Sequence, residues 1–327
     1  MLRLLEPLLI AADGALGRLV LGRQGFGQLV REAGLRCLDS EDLDRAWRWL
    51  SLATRLTPDD AQAQFLSGVT ALGRKDVAEA GRRFQTAADL DPGSSHAHLA
   101  LAQISLPGPG YYDVLRRIHG HLRPRTYLEV GVEAGRSLAL ALPGTRAIGI
   151  DPAPQLAAPP APGVTVHATT SAEFFARHDV RAELGGLPID LAFIDGMHTF
   201  ESALRDFIEI EKHCAPQSTI LFHDGYPLDR ATAERERRTK FWSGDIWRLV
   251  LALRRHRPDL SVHTVTTPPT GLGLVRRLDP GSRVLEERFR EIEREFLALD
   301  YSVLDADKRG MLAAVANDWE QIAPLLS

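Results

Sequence analysis

From Thr126 to Leu278, short apolar runs alternate with amphipathic stretches, and this alternation limits the possible folds more than any other feature of the chain. The runs TYLEVG, RAIGID, VTVHA, IDLAFID and STILFHD are short and almost wholly apolar, which is the pattern of strands buried on both faces. Between and after them, RSLALAL, SAEFFARH, FESALRDFIEIEKHC and DIWRLVLALRR read as helices, so a doubly wound parallel α/β sheet is predicted. The last two runs, LSVHTVTT and GLGLVRRL, are joined only by the turn-rich PPT. That link is too short for a helical crossover, so the two must pair as a hairpin and add one antiparallel strand to the sheet.

Ahead of this pattern the chain repeats itself at an offset of 34 residues: Gly34 with Gly68, Ala46 with Ala80, Ala53 with Ala87, Pro58 with Pro92, and Leu50 with Phe84 in character. Small residues let two helices approach closely, and Gly68 is expected to face Ala80 across such a pair. The period and the closing proline resemble the tetratricopeptide repeat, although Gln64 stands where that repeat usually has an aromatic. A third unit begins at SHAHLALAQI and stops, as a cap would. SLPGPGYYD then breaks the helical pattern. The expected division is an N-terminal helical segment over 1–26, an all-α domain of repeats over 27–108, the α/β domain over 109–278 and a helical appendage over 279–327. Two repeats expose a small concave face, better suited to holding a protein partner or the neighbouring domain than to chemistry.

A net charge of -4 gives no electrostatic footprint for wrapping nucleic acid. Cys37 and Cys214 lack metal-ligand spacing and read as thiols of a reducing compartment. Glu6, Pro7 and Asp13 interrupt the apolar N-terminal run before it reaches a spanning length, so a cytoplasmic protein without a membrane span is expected. Homo-oligomerisation is left open.

A parallel sheet ending in one antiparallel hairpin strand resembles the Rossmann-like sheet of class I methyltransferases, which use S-adenosylmethionine (SAM). In YLEVGVEAGRS, residues 127–137, Gly131 permits a tight turn and Gly135 is expected to let the cofactor lie on backbone at a helix start. The GxxxG spacing matches neither a dinucleotide fingerprint nor a phosphate loop. By the same resemblance, Glu129 would help hold the methionine end of SAM. Asp151 ends the next strand 20 residues after Gly131, where a carboxylate can accept both ribose hydroxyl protons. Ser171, with Thr169 and Thr170, follows the third strand and is the candidate for adenine. The bland alternatives are a salt bridge for Glu129 and a helix cap for Asp151.

The fourth strand ends in IDGMH and the fifth in LFHD, which brings Asp195, His198, His223 and Asp224 to one crevice beyond the strand ends. IDGMHTFESALRDF followed by a strand ending in HD resembles metal-dependent sugar O-methyltransferases of the macrocin and mycinamicin type, together with cephalosporin-hydroxylase-like relatives, over roughly residues 127–278. That resemblance implies Asp195 and Asp224 as ligands of a divalent metal, magnesium or manganese, and His198 as the base. Asp195 would also border SAM. His223 stands where several relatives have a second carboxylate; as a ligand it would suit manganese or iron better than magnesium. The implied acceptor is a hydroxyl of a sugar, a glycan or a glycosylated natural product. Alternatively, Asp195 caps the following helix and His198 bonds a loop. The charged segment after Asp224, with Tyr226, Phe241 and Trp242, reads either as a lid over the acceptor or as a solvated connection with core anchors. Two other functions are kept: a repeat-bearing scaffold whose SAM domain has lost catalysis, and an oxidative enzyme on the same framework.

Overall fold

The computed structural model describes residues 15–327; the reading of the first 14 residues as part of a helical segment lies outside them. The chain divides into two compact units, the first ending at Ser105 and also taking in Arg238–Phe241, the second comprising Leu106–Arg237 and Trp242–Ser327.

The first unit is all helical: α1 (Ala15–Asp39), α2 (Leu43–Leu56), α3 (Ala61–Gly73), α4 (Val77–Leu90) and α5 (Ser95–Ser105). The starts of α2 and α4 lie 34 positions apart, as do those of α3 and α5. Asp42, Asp60 and Asp76 cap α2, α3 and α4, each carboxylate accepting the N–H three residues on at 3.0–3.1 Å. Close approach occurs where the sequence repeats, but the partners differ from the expected pair. A Cβ on Gly68 would lie 2.6 Å from the Phe84 ring, and one on Gly34 would lie 2.6 Å from Leu50 Cγ. The glycines therefore make room for the large residue of the facing helix; the atoms nearest Gly68 belong to Phe84 and Arg83, one turn on from the buried Ala80. Phe241 is an anchor of this unit, stacked on His98 at 5.6 Å.

The second unit begins with α6 (Tyr111–Leu122) and continues as β1 (Thr126–Val130), β2 (Arg146–Asp151), β3 (Val164–Ala168), α7 (Ser171–Arg177), α8 (Val180–Glu183), β4 (Ile189–Ile194), α9 (Phe200–Lys212), β5 (Cys214–His223), α10 (Trp247–His256), β6 (Ser261–Val265) and β7 (Leu272–Arg276). The sheet order is β3-β2-β1-β4-β5-β7-β6-β8, where β8 is the short C-terminal strand Ala314–Val315, with β7 antiparallel to both its neighbours. All seven strands read from the sequence are present, including the terminal hairpin. Strand alternation sends Leu128, Val130, Ala192 and Ile194 to the face covered by α9 and α10, and Tyr127, Leu191 and Phe193 to the face covered by α6.

Two expectations are corrected. The stretch RSLALAL forms only a 3-10 turn, Leu138–Leu140, instead of a crossover helix. Pro143 cannot continue a helix and Gly144 follows it with φ 89°, so the turn ends before it can grow into a longer helix. The C-terminal segment is not purely helical. Besides α11 (Val284–Glu287), α12 (Phe289–Leu297), α13 (Lys308–Met311) and α14 (Trp319–Ile322), it supplies β8 (Ala314–Val315), which pairs parallel with β6 at the sheet edge. Among the described residues, no helix is long and apolar enough to cross a membrane.

Candidate functional site

Strand order reverses between β1 and β4, and the crevice that opens there holds most of the residues singled out above. Gly131 follows β1 with φ 89°, and a Cβ on it would lie 2.0 Å from the carbonyl oxygen of Asp195. Only glycine lets the two strand ends close in this way. Beyond it lies a cavity of about 1080 Å³ lined by Gly131, Asp151, Ser171, Asp195, His198 and His223, among others.

Asp151 is not a helix cap. Its Oδ2 accepts the amides of Val132 and Glu133 at 2.9 and 2.8 Å, and its Oδ1 accepts that of Ala153 at 2.8 Å, so it shapes the turn while still facing the cavity. Ser171 opens α7 at the cavity wall, next to the N-cap Thr170.

Two of the cofactor residues stand elsewhere. Glu129 is fully buried, and the cavity wall does not include it. Its two oxygens accept from the Tyr127 hydroxyl and, at 2.7 Å, from Ser137, which does line the cavity. Burial pushes the Glu129 carboxyl up to about 8 against the lowering effect of those two donors. Gly135 has φ 76° and also lies off the cavity; a Cβ there would meet Leu156 at 2.9 Å. Its missing side chain accommodates Leu156 rather than a cofactor, and no helix begins there.

The second half of the site is a knot of two carboxylates and two imidazoles. His198 Nδ1 lies 3.0 Å from Asp224 Oδ2 and 3.2 Å from the carbonyl of Trp242. Both partners only accept, so Nδ1 carries the proton and Nε2 is the basic nitrogen. His223 Nδ1 lies 3.4 Å from Asp195 and 3.3 Å from Asp224, and its Nε2 is 3.3 Å from the Thr270 hydroxyl. Burial disfavours the His223 cation, but the two carboxylates outweigh it and hold its pKa well above the ordinary histidine range. Burial likewise works against the Asp224 anion, and His223 and His198 overcome it. Asp224 sits at φ 63°, a left-handed conformation that turns its carboxylate back over the strand end. Ligand atoms of Asp195, His198 and Asp224 lie within 4.8 Å of one another, and the two carboxylates, with an imidazole beside them, fit a divalent cation.

Asp195 is not the cap of α9. The cap position belongs to Thr199, and the amide of Phe200 donates to Asp245 at 2.6 Å. Asp245 and Gly244 thus pin the segment after β4, since a Cβ on Gly244 would lie 1.9 Å from the His198 carbonyl oxygen. Trp242 stacks on the His198 ring, 5.2 Å apart and 12° from parallel. Its aromatic face is therefore used to fix an imidazole.

Sequence reading missed Tyr111 and Asp206. Tyr111 packs on His223 with ring centroids 4.1 Å apart, and nothing in YYD marks it out. Asp206 lines the cavity from α9, hydrogen-bonds Ser171, and is pushed up to about 6 by burial. A signal was available, because Asp206 interrupts the buried helical face made by Ala203, Leu204 and Phe207.

Residues 128–225 match the profile of a methyltransferase domain family. Comparison with curated proteins finds no match. Among solved structures, the chain is similar to an O-methyltransferase of Streptomyces achromogenes involved in tomaymycin synthesis, in complex with SAM. That likeness has 18% identity over 59% of this chain and 94% of the other, with a TM-score of 0.41. An O-methyltransferase of Bacillus cereus in complex with SAH is 16% identical over 60% and 96%, with a TM-score of 0.38. A SAH-bound methyltransferase of Podospora anserina is 14% identical over 62% and 88%, with a TM-score of 0.37. The chain carries a methyltransferase domain, and the matched residues run from within β1 to just past β5, a span containing Asp151, Asp195, His198, His223 and Asp224.

Proposed function

We propose that this methyltransferase is an O-methyltransferase that takes its methyl group from SAM and acts with a divalent cation on a hydroxyl of a sugar, glycan or glycosylated natural product. The observation that carries the reading is the single cavity shared by the Gly131 turn, Asp151 and the ends of β4 and β5. It joins a nucleoside-sized space to a general base. Gly131, Asp151, Ser171 and Asp195 border the SAM site in this reading, Glu129 acts through Ser137, and Gly135 supports the turn from behind.

SAM, when bound, supplies a methyl group on a sulfonium, whose carbon–sulfur bond breaks as the carbon–oxygen bond to the acceptor forms. The acceptor hydroxyl must lose its proton as it attacks, and His198 Nε2 receives it. Asp224 holds the other ring nitrogen and stabilises the imidazolium that results. Trp242 keeps the ring in plane, so less orientation is left to chance. Asp195 and Asp224, with His223 once its Nδ1 proton has passed to solvent, would hold the cation, which would lower the free energy of the developing alkoxide.

The raised pKa of His223 favours a second reading in which its imidazolium, lying between Asp195 and Asp224, is itself the positive charge beside the acceptor. Turnover before and after chelation decides between the two. The cation reading expects activity to vanish with chelator and return with manganese, and activity indifferent to chelator supports the imidazolium. Methyl transfer to sugar-bearing acceptors is measured with labelled SAM, and absence of transfer across a panel of such acceptors counts against the substrate class.

A further inference from the structure

At the free edge of the sheet, β3 and the two helices after it gather a second donor set that methyl transfer does not use. His167 is on β3, His178 caps the C-terminus of α7, and Glu183 ends α8. One Glu183 oxygen lies 2.8 Å from His167 Nε2 and the other lies 2.8 Å from His178 Nδ1. The two imidazoles meet edge to face with centroids 4.6 Å apart, and the buried Phe174 ring supports both, at 4.9 Å from His167 and stacked at 4.7 Å on His178. Ligand atoms of the three residues lie within 4.8 Å of one another, and all three side chains are partly open to solvent.

We propose that His167, His178 and Glu183 form a binding site for a zinc-class divalent ion. Two imidazole nitrogens and a carboxylate suit a borderline ion that prefers nitrogen and oxygen together, and the partial exposure leaves room for water as a fourth ligand. The rings are already oriented by Phe174, so little side-chain freedom remains to be lost on binding. His167 and His178 flank α7, whose first turn and Phe175 line the main cavity. An ion held by both would brace that wall from behind. The inference does not rest on the methyl-transfer reading.

The test is a calorimetric titration of zinc into the untagged full chain carrying Asp195→Asn and Asp224→Asn, which removes the carboxylates of the main site. Saturable binding of one equivalent is expected, with a zinc-dependent rise in Tm. Adding Glu183→Gln, whose amide can still hydrogen-bond both rings, or His178→Ala should weaken binding by more than roughly tenfold. No saturable binding, or affinity unchanged in both added variants, overturns the site. Should the doubly substituted parent fail to fold, the unsubstituted chain must lose one zinc equivalent on Glu183→Gln, and an unchanged count overturns the proposal equally.

Discussion

His198 has Nδ1 committed to two acceptors, while Nε2 lies 3.9 Å from Asp195, beyond hydrogen-bond distance, and that asymmetry sets it apart from the neighbouring His223. For His198 in the proposed role of general base, replacement by Gln should lower kcat by roughly 10²–10⁴ while the Kd for SAM stays within error, because that base would act on the acceptor and not on the donor. A parallel loss of SAM affinity would show that the ring is structural. Glu129 makes a different prediction. Its carboxyl ionises near 4.5 ordinarily but near about 8 in the fold, so the folded chain holds a proton through that interval which the unfolded chain has released. The contribution is therefore complete below pH 4.5 and is lost as pH rises toward 8. Glu129→Gln should remove that part of the pH dependence, read as Tm against pH; an unchanged profile would mean that Glu129 is ionised in the fold.

Elements respond to their closest approaches. At Gly68 a side chain must displace the Phe84 ring, so Gly68→Leu should destabilise the helical unit by about 1–3 kcal/mol, measured by chemical denaturation. An unchanged midpoint would show that α3 and α4 can separate without penalty. On α6, His119 is buried edge-on to Tyr127 with neither ring nitrogen hydrogen-bonded, and burial lowers its pKa to about 4. Between pH 6.5 and about 4 the unfolded chain takes up a proton that the folded one refuses, so stability falls as pH falls through that window. His119→Leu should flatten the slope, and a slope that persists would assign it to another group. The same local physics explains what could be read from the sequence. Strands such as IDLAFID and the hairpin around PPT announce themselves because continuous apolar runs and short links admit few arrangements. RSLALAL has a helical composition, yet Pro143 ends it before a longer helix can grow. The positions of Glu129 behind the wall and Gly135 under Leu156 depend on which way a turn folds, and residue spacing does not encode that. Asp195, His198, His223 and Asp224 were legible because strand ends in a doubly wound sheet converge. Tyr111 reaches His223 from a segment far outside any motif.

At the scale of the whole molecule, the account rests on the cavity at the switch between β1 and β4 being a SAM site. Calorimetric titration of SAM into the purified chain, beside the Gly131→Val variant, tests this most directly. A valine there must push the β1 and β4 ends apart, because its Cβ would overlap the Asp195 carbonyl. The account predicts saturable binding at one site in the unaltered chain and its loss in a Gly131→Val protein that remains folded by circular dichroism. No binding at millimolar SAM in the unaltered chain, or equal affinity in the variant, would contradict it.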